Sequence, residues 1–114
     1  VALRAFIERN FESAKRAWKA GVKIAMGSDA VFTMFGQNTR ELEWFVKLGM
    51  TPQQALATAT TTAAALLGQE SALGAIAPGY FADIVAVEGD PLADITIITH
   101  HVRWVMKGGE VVVE

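Results

Sequence analysis

The apolar positions follow two different rules along this chain. Leu3, Phe6, Ile7, Phe11, Ala14, Ala17 and Trp18 recur at three- and four-residue steps, with charged residues between them. That spacing predicts an amphipathic helix over 3–20. Gly21 is a natural stop just after it. Val22 to Met26 is short and apolar on both faces, the pattern of a strand covered by helices. Gly27-Ser28-Asp29-Ala30 comes next, and 31–37 has no period and reads as a loop. Asn38 and Glu41 have capping-box spacing, which predicts a helix with Leu42, Phe45, Val46 and Leu48 as its buried stripe and Gly49 as its end. Thr51, Pro52 and Gln54 predict a further helix start. Its body runs from Ala55 to Leu67, and Gly68 ends it. Thr60, Thr61 and Thr62 are mildly unfavourable there, so packing must hold that stretch.

Beyond Gly68 the rule changes. Gly74, Pro78 and Gly79 mark a connection over 69–81 with a turn at Pro78-Gly79. Ala82 to Val87 reads as a strand and Gly89-Asp90-Pro91 as a turn. Val102 to Lys107 alternates with period two, Gly108-Gly109 is a two-residue hairpin turn, and Glu110 to Val113 returns antiparallel. The order helix, tight turn, buried strand at 3–28 is the second half of a βαβ unit. The last third is β-rich. No internal repeat or low-complexity segment is visible.

Composition narrows the classes. The chain has 114 residues, a net charge of −2, 52% hydrophobic residues and no cysteine. It is too short for a complete (β/α)8 barrel, which needs at least about 200 residues. Its near-neutral charge carries no electrostatic footprint for nucleic acid or an anionic membrane. Without cysteine there are no disulfides, thiolate metal sites or cysteine nucleophiles. Residues 1–20 do not read as a signal peptide, because seven charged residues interrupt any apolar core. No run approaches the roughly 18 apolar residues of a membrane helix. The apolar fraction is high for so small a chain, and the first residue is Val1 rather than Met. Both features predict a segment of something larger, although a chosen expression boundary explains Val1 equally well.

Chemistry is sparse. Asp29 lies just past the end of the buried strand, where α/β folds gather ligands and catalytic groups. A carboxylate there can bind a metal ion or take a proton. It can also merely cap a turn, as Ser28 can, and spacing leaves both roles open. His100 and His101 are the two histidines. On a strand, adjacent residues face opposite ways, so these two cannot easily share one metal. Trp18, Trp44 and Trp104 sit at packing positions and are expected in the core. Asp83 and Asp90 read as turn or strand-edge residues. No G-x-G-x-x-G or P-loop pattern occurs. Spacing alone therefore yields one candidate acid, and neither a base partner nor a metal-ligand set.

The series of segments resembles the amidohydrolase superfamily, in its imidazolonepropionase-like branch, which includes Xaa-Pro dipeptidases. Residues 21–30 (GVKIAMGSDA) look like that family's eighth barrel strand with its strand-end aspartate. Asn38-Thr39-Arg40-Glu41-Leu42, then Gly49-Met50-Thr51-Pro52, resemble the family's segments after that strand. Leu73 to Gly79, Ala82-Asp83-Ile84-Val85 and Gly89-Asp90-Pro91-Leu92 look like the return into a small β-sandwich, and 105–111 like its closing hairpin. The resemblance implies a metal-dependent hydrolase of amide-like C–N bonds with one or two divalent ions, usually zinc, in a (β/α)8 TIM-like barrel. It makes Asp29 both metal ligand and catalytic proton shuttle, and lays Phe32, Phe35, Gln37 and Asn38 over a small-molecule or dipeptide-like substrate. It also implies a homo-oligomer when intact. Many relatives carry His-Gly-x-Asn in this loop, and here Phe35 stands in place of that histidine. The family's His-x-His and its other metal ligands have no counterpart in the chain.

Three readings are open. The chain is the C-terminal portion of such a hydrolase, inactive alone; or a non-enzymatic α/β module; or one chain of a split hydrolase, the rest of the barrel being a partner. On the first, 1–68 is the end of the barrel (helix, strand eight, two helices). Residues 69–114 are then the C-terminal part of a composite β-sandwich. An isolated chain cut this way exposes strand edges and is expected to associate.

Overall fold

The computed structural model describes residues 2–114. Its elements, in order, are α1 (Ala2–Lys19), α2 (Glu41–Leu48), α3 (Pro52–Ala59), α4 (Thr61–Leu66), β1 (Ile84–Val87), α5 (Ile97–His100), β2 (Val102–Lys107) and β3 (Glu110–Val113). Two single 3-10 turns, Phe32–Met34 and Asn38–Arg40, lie between α1 and α2. No helix among the described residues is long and apolar enough to cross a membrane.

The helix α1 ends as its sequence predicts, with Gly21 at φ +80. Only the second half of its stripe meets the core: Phe11, Ala14 and Trp18 pack against it, while Leu3 and Phe6 stay exposed. The core centres on Leu42, Phe45 and Leu48 of α2, then Met50, Ala55 and Ile95. Gly49 at φ +122 turns the chain sharply between α2 and α3, a conformation that favours glycine. Both bonds of the Thr51–Gln54 capping box form: Gln54 N–H donates to Thr51 Oγ1 at 3.2 Å and Thr51 N–H to Gln54 Oε1 at 2.9 Å.

Three expectations need correcting. The helix read through to Leu67 breaks at Thr60, with φ −128 and ψ −97, into α3 and α4. There Gly74 from the following loop lies against the chain, and a Cβ on it would sit 2.8 Å from the Thr60 carbonyl oxygen. The segment Val22 to Met26 forms neither helix nor strand, and its backbone meets α3 through Met26 N–H donating to the Thr58 carbonyl at 2.9 Å. A strand needs a ladder partner, and no strand lies beside this segment among the described residues. Trp44 is 48% exposed rather than buried. Its ring meets Phe11 edge-on at 6.0 Å and carries the Lys47 ammonium 4.5 Å above it.

The sheet is antiparallel in the order β1-β2-β3. Gly108 and Gly109 both take positive φ, as a tight hairpin with primed turn geometry requires. Asp83 and Asp90 serve turns as expected: Asp83 Oδ1 accepts the Gly108 N–H at 2.7 Å and Asp90 Oδ1 the Leu92 N–H at 2.9 Å. No residue of the three strands is buried. The chain is therefore mixed α and β, with its packed centre in the helices. Ile95, in the crossing from β1 to β2, ties the sheet to that centre.

Candidate functional site

The loop after Met26 is held by side chains from two helical starts. Gly27 N–H donates to Glu41 Oε2 at 3.0 Å, and Asn38 Nδ2 donates to Ser28 Oγ at 3.1 Å. Met26 is already tied to Thr58. Three consecutive residues thus take one bond each from elements distant in sequence. The capping box expected between Asn38 and Glu41 does not form, and neither residue makes a side-chain cap for α2. Both side chains reach instead to the loop. A backbone N–H outside a ladder needs an acceptor, and Glu41 supplies it.

Glu41 is half-buried. Burial raises its carboxyl above the ordinary value, and the Gly27 N–H pulls in the opposite direction. The start of α2 also favours a negative charge there.

Asp29 comes two residues after Gly27, exposed, with φ +47. That is the left-handed region, which costs a residue with a Cβ about 1–2 kcal/mol and which aspartate tolerates better than most. An aspartate that caps a turn accepts a backbone N–H, as Asp90 and Asp94 do. Among the described residues the Asp29 carboxylate accepts none. Phe32 also has positive φ, at +49, and is 84% exposed, while Phe35 is 72% exposed. Gln37 is half-buried and its Oε1 accepts from Arg40 Nη1 at 2.7 Å. The structure therefore joins Asn38 to the Asp29 loop through Ser28. It leaves Phe32 and Phe35 on the open surface of the same segment. Two shallow clefts, of about 380 and 540 Å³, lie elsewhere, one around Trp18 and Thr58, the other around Leu3, Ile7 and Trp44.

The spacing pointed to Asn38 and Glu41 but gave them the wrong partners. Their short-range partners are visible in a sequence; Ser28 and Gly27, ten and fourteen residues back, are not.

No group of three His, Cys, Asp or Glu side chains converges among the described residues. His100 closes α5 and His101 comes just after it; both are exposed surface residues and neither lies on a strand. The donors present fit one oxygen ligand of a divalent ion, at Asp29, and not a whole site, which takes at least about four donors.

Sequence and structure comparisons agree on the chain's relatives. It is 37% identical over 112 residues to the ochratoxinase of Aspergillus niger, covering 95% of this chain and 23% of that protein. It is 32% identical over 115 residues to the imidazolonepropionase of Geobacillus kaustophilus, covering 95% of this chain and 27% of that protein. The crystal structure of a Xaa-Pro dipeptidase with bound methionine in the active site superposes with a TM-score of 0.86 and 36% identity, over 91% of this chain and 25% of that one. The chain thus spans about a quarter of the length of the relatives it matches. Residues 3–112 match the Amidohydrolase family, and the chain belongs to it.

Proposed function

We propose that this chain supplies one catalytic carboxylate, Asp29, to a metal-dependent hydrolase of amide-like C–N bonds. The other ligands and strands come from segments outside these 114 residues, in the same chain or another. In that assembly 1–68 completes a (β/α)8 barrel and 69–114 a small β-sandwich. One observation carries the reading: an exposed carboxylate, without a hydrogen-bond partner among the described residues, stands on a loop braced from two helical starts. Membership in the Amidohydrolase family and the hydrolase relatives support it.

Asp29 would be one ligand of a divalent ion, zinc in the family's usual form, which would lower the pKa of water and polarise the scissile carbonyl. Asp29 adds an oxygen ligand, accepts the proton of the attacking water and delivers it to the leaving amine. Phe32, Phe35, Gln37 and Asn38 lie along the substrate. The two exposed phenylalanines favour an apolar or aromatic group there, because burying such surface is favourable.

The test is Asp29→Asn in the complete zinc-loaded hydrolase. General acid–base catalysis contributes about 10²–10⁴-fold, so kcat falls by that order while the fold persists. Activity at the parent level refutes the assignment. The isolated 114-residue chain is expected to hydrolyse nothing. Phe35→His, tested on a panel of Xaa-Pro dipeptides and N-acyl amino acids, shifts substrate preference; an unchanged profile removes Phe35 from the substrate site.

A further inference from the structure

We propose that Glu41 is a positioning residue for Asp29, acting through the backbone of Gly27. The inference rests on the reading of Asp29 given above and adds to it a device that sets where the carboxylate stands.

The Asp29 carboxylate has no side-chain partner among the described residues, so nothing grips it directly. Its direction is set by the backbone that carries it. That backbone is tied at Met26 by the Thr58 carbonyl, at Gly27 by Glu41 Oε2 and at Ser28 by Asn38. Of the three ties, only the one at Gly27 brings a charged acceptor to a peptide N–H, and charge-assisted bonds are the strong ones. Glu41 keeps a half-buried carboxylate for this bond, although the helix start it belongs to has no use for it as a cap. Two peptide units on, Asp29 occupies a left-handed conformation that the surrounding structure must enforce. A loop released at Gly27 relaxes the backbone at Asp29 first. Loss of a partner that orients a ligand costs about 10–100-fold in activity.

The experiment compares Glu41→Met and Glu41→Gln in the complete hydrolase. The two side chains are close in volume, and only glutamine keeps an acceptor for the Gly27 N–H. The probe is whichever of a panel of Xaa-Pro dipeptides and N-acyl-phenylalanines the parent turns over fastest. Glu41→Met is expected to lower kcat about 10–100-fold with KM unchanged. Amide exchange over residues 26–29 speeds up, and that over α2 does not. Glu41→Gln recovers most of both, falling short only by the charge assistance. The inference is overturned if Glu41→Met keeps the parent kcat, if Glu41→Gln is as impaired as Glu41→Met, or if exchange rises throughout α2. Failure of both variants to fold also overturns it, in favour of a purely structural role. Asp29→Asn separates the two proposals. Retained activity in that variant defeats the reading of Asp29; its inactivity beside a normal Glu41→Met defeats only the positioning role.

Discussion

The helical region and the C-terminal sheet of this protein are held together in opposite ways. Residues 41–64 bury Leu42, Phe45, Leu48, Met50, Ala55, Thr58 and Ala64, and their stability comes from side chains excluded from water. No residue of the three strands is fully buried: Ile84, Val87, Trp104, Val105 and Met106 are half-buried, and Val111, Val112 and Val113 are exposed. Their order comes from ladder bonds, a two-glycine turn and charge contacts at the rim: Arg103 with Glu88, and Lys107 with Asp83 at 3.0 Å. Local chemistry can define a hairpin without a core. The Asp29 loop is fastened to the other region, to α2 and α3, where a displaced backbone must displace packed side chains as well.

The contrast can be tested by removing one apolar side chain from each region. Leu42→Ala opens a cavity where exposure is 1% and is expected to cost about 2–5 kcal/mol in urea denaturation. Val112→Ala, at a position 58% exposed, stays within about 0.5 kcal/mol. Equal losses would mean that the sheet is packed in solution and break the comparison.

Gly74 probes the join between the two regions. Its φ is +86, and a Cβ there meets the Thr60 carbonyl at the break between α3 and α4. Gly74→Ala is expected to cost about 2 kcal/mol, combining left-handed strain with the displaced carbonyl. The same measurement checks it, and a neutral result would show that the break does not depend on this contact.

The smallest effect is a pH dependence at the hairpin turn. The Gly108 N–H, and then the Lys107 ammonium, hold the Asp83 carboxyl below its ordinary value. A depressed native pKa adds stability above the unfolded value, and that stability is lost as pH falls through the native one. The hairpin turn therefore loosens on acidification below about pH 4. Asp83→Asn abolishes that dependence, as followed by the Gly108 amide resonance.

Elements specified by neighbours in sequence were legible at once. The Thr51–Gln54 cap, the Gly49 stop and the Gly108-Gly109 turn each place donor and acceptor, or the required φ, within a few residues. Two of the misreadings come from contacts distant in sequence. Asn38 and Glu41 have the right chemistry for a cap, but Gly27 and Ser28 compete for the same atoms. Thr60, Thr61 and Thr62 signal a weak stretch of helix but not a break, and the break at Thr60 coincides with a contact from Gly74. Trp44 lies on a helix that does have a buried stripe, but on its flank, where it is half exposed.

By itself, then, the sequence determined the first three helix starts, the Thr51–Gln54 cap, the C-terminal hairpin and its turn, and an aspartate at the end of an apolar run. These depend on backbone preferences and hydrogen bonds spanning a few residues. Only the tertiary structure decided what surrounds that aspartate: Glu41 on Gly27, Asn38 on Ser28 and Thr58 on Met26. Those partners are ten to thirty-two residues apart along the chain. A polar side chain satisfies whichever group folding brings within about 3 Å of it, and sequence spacing does not encode that distance.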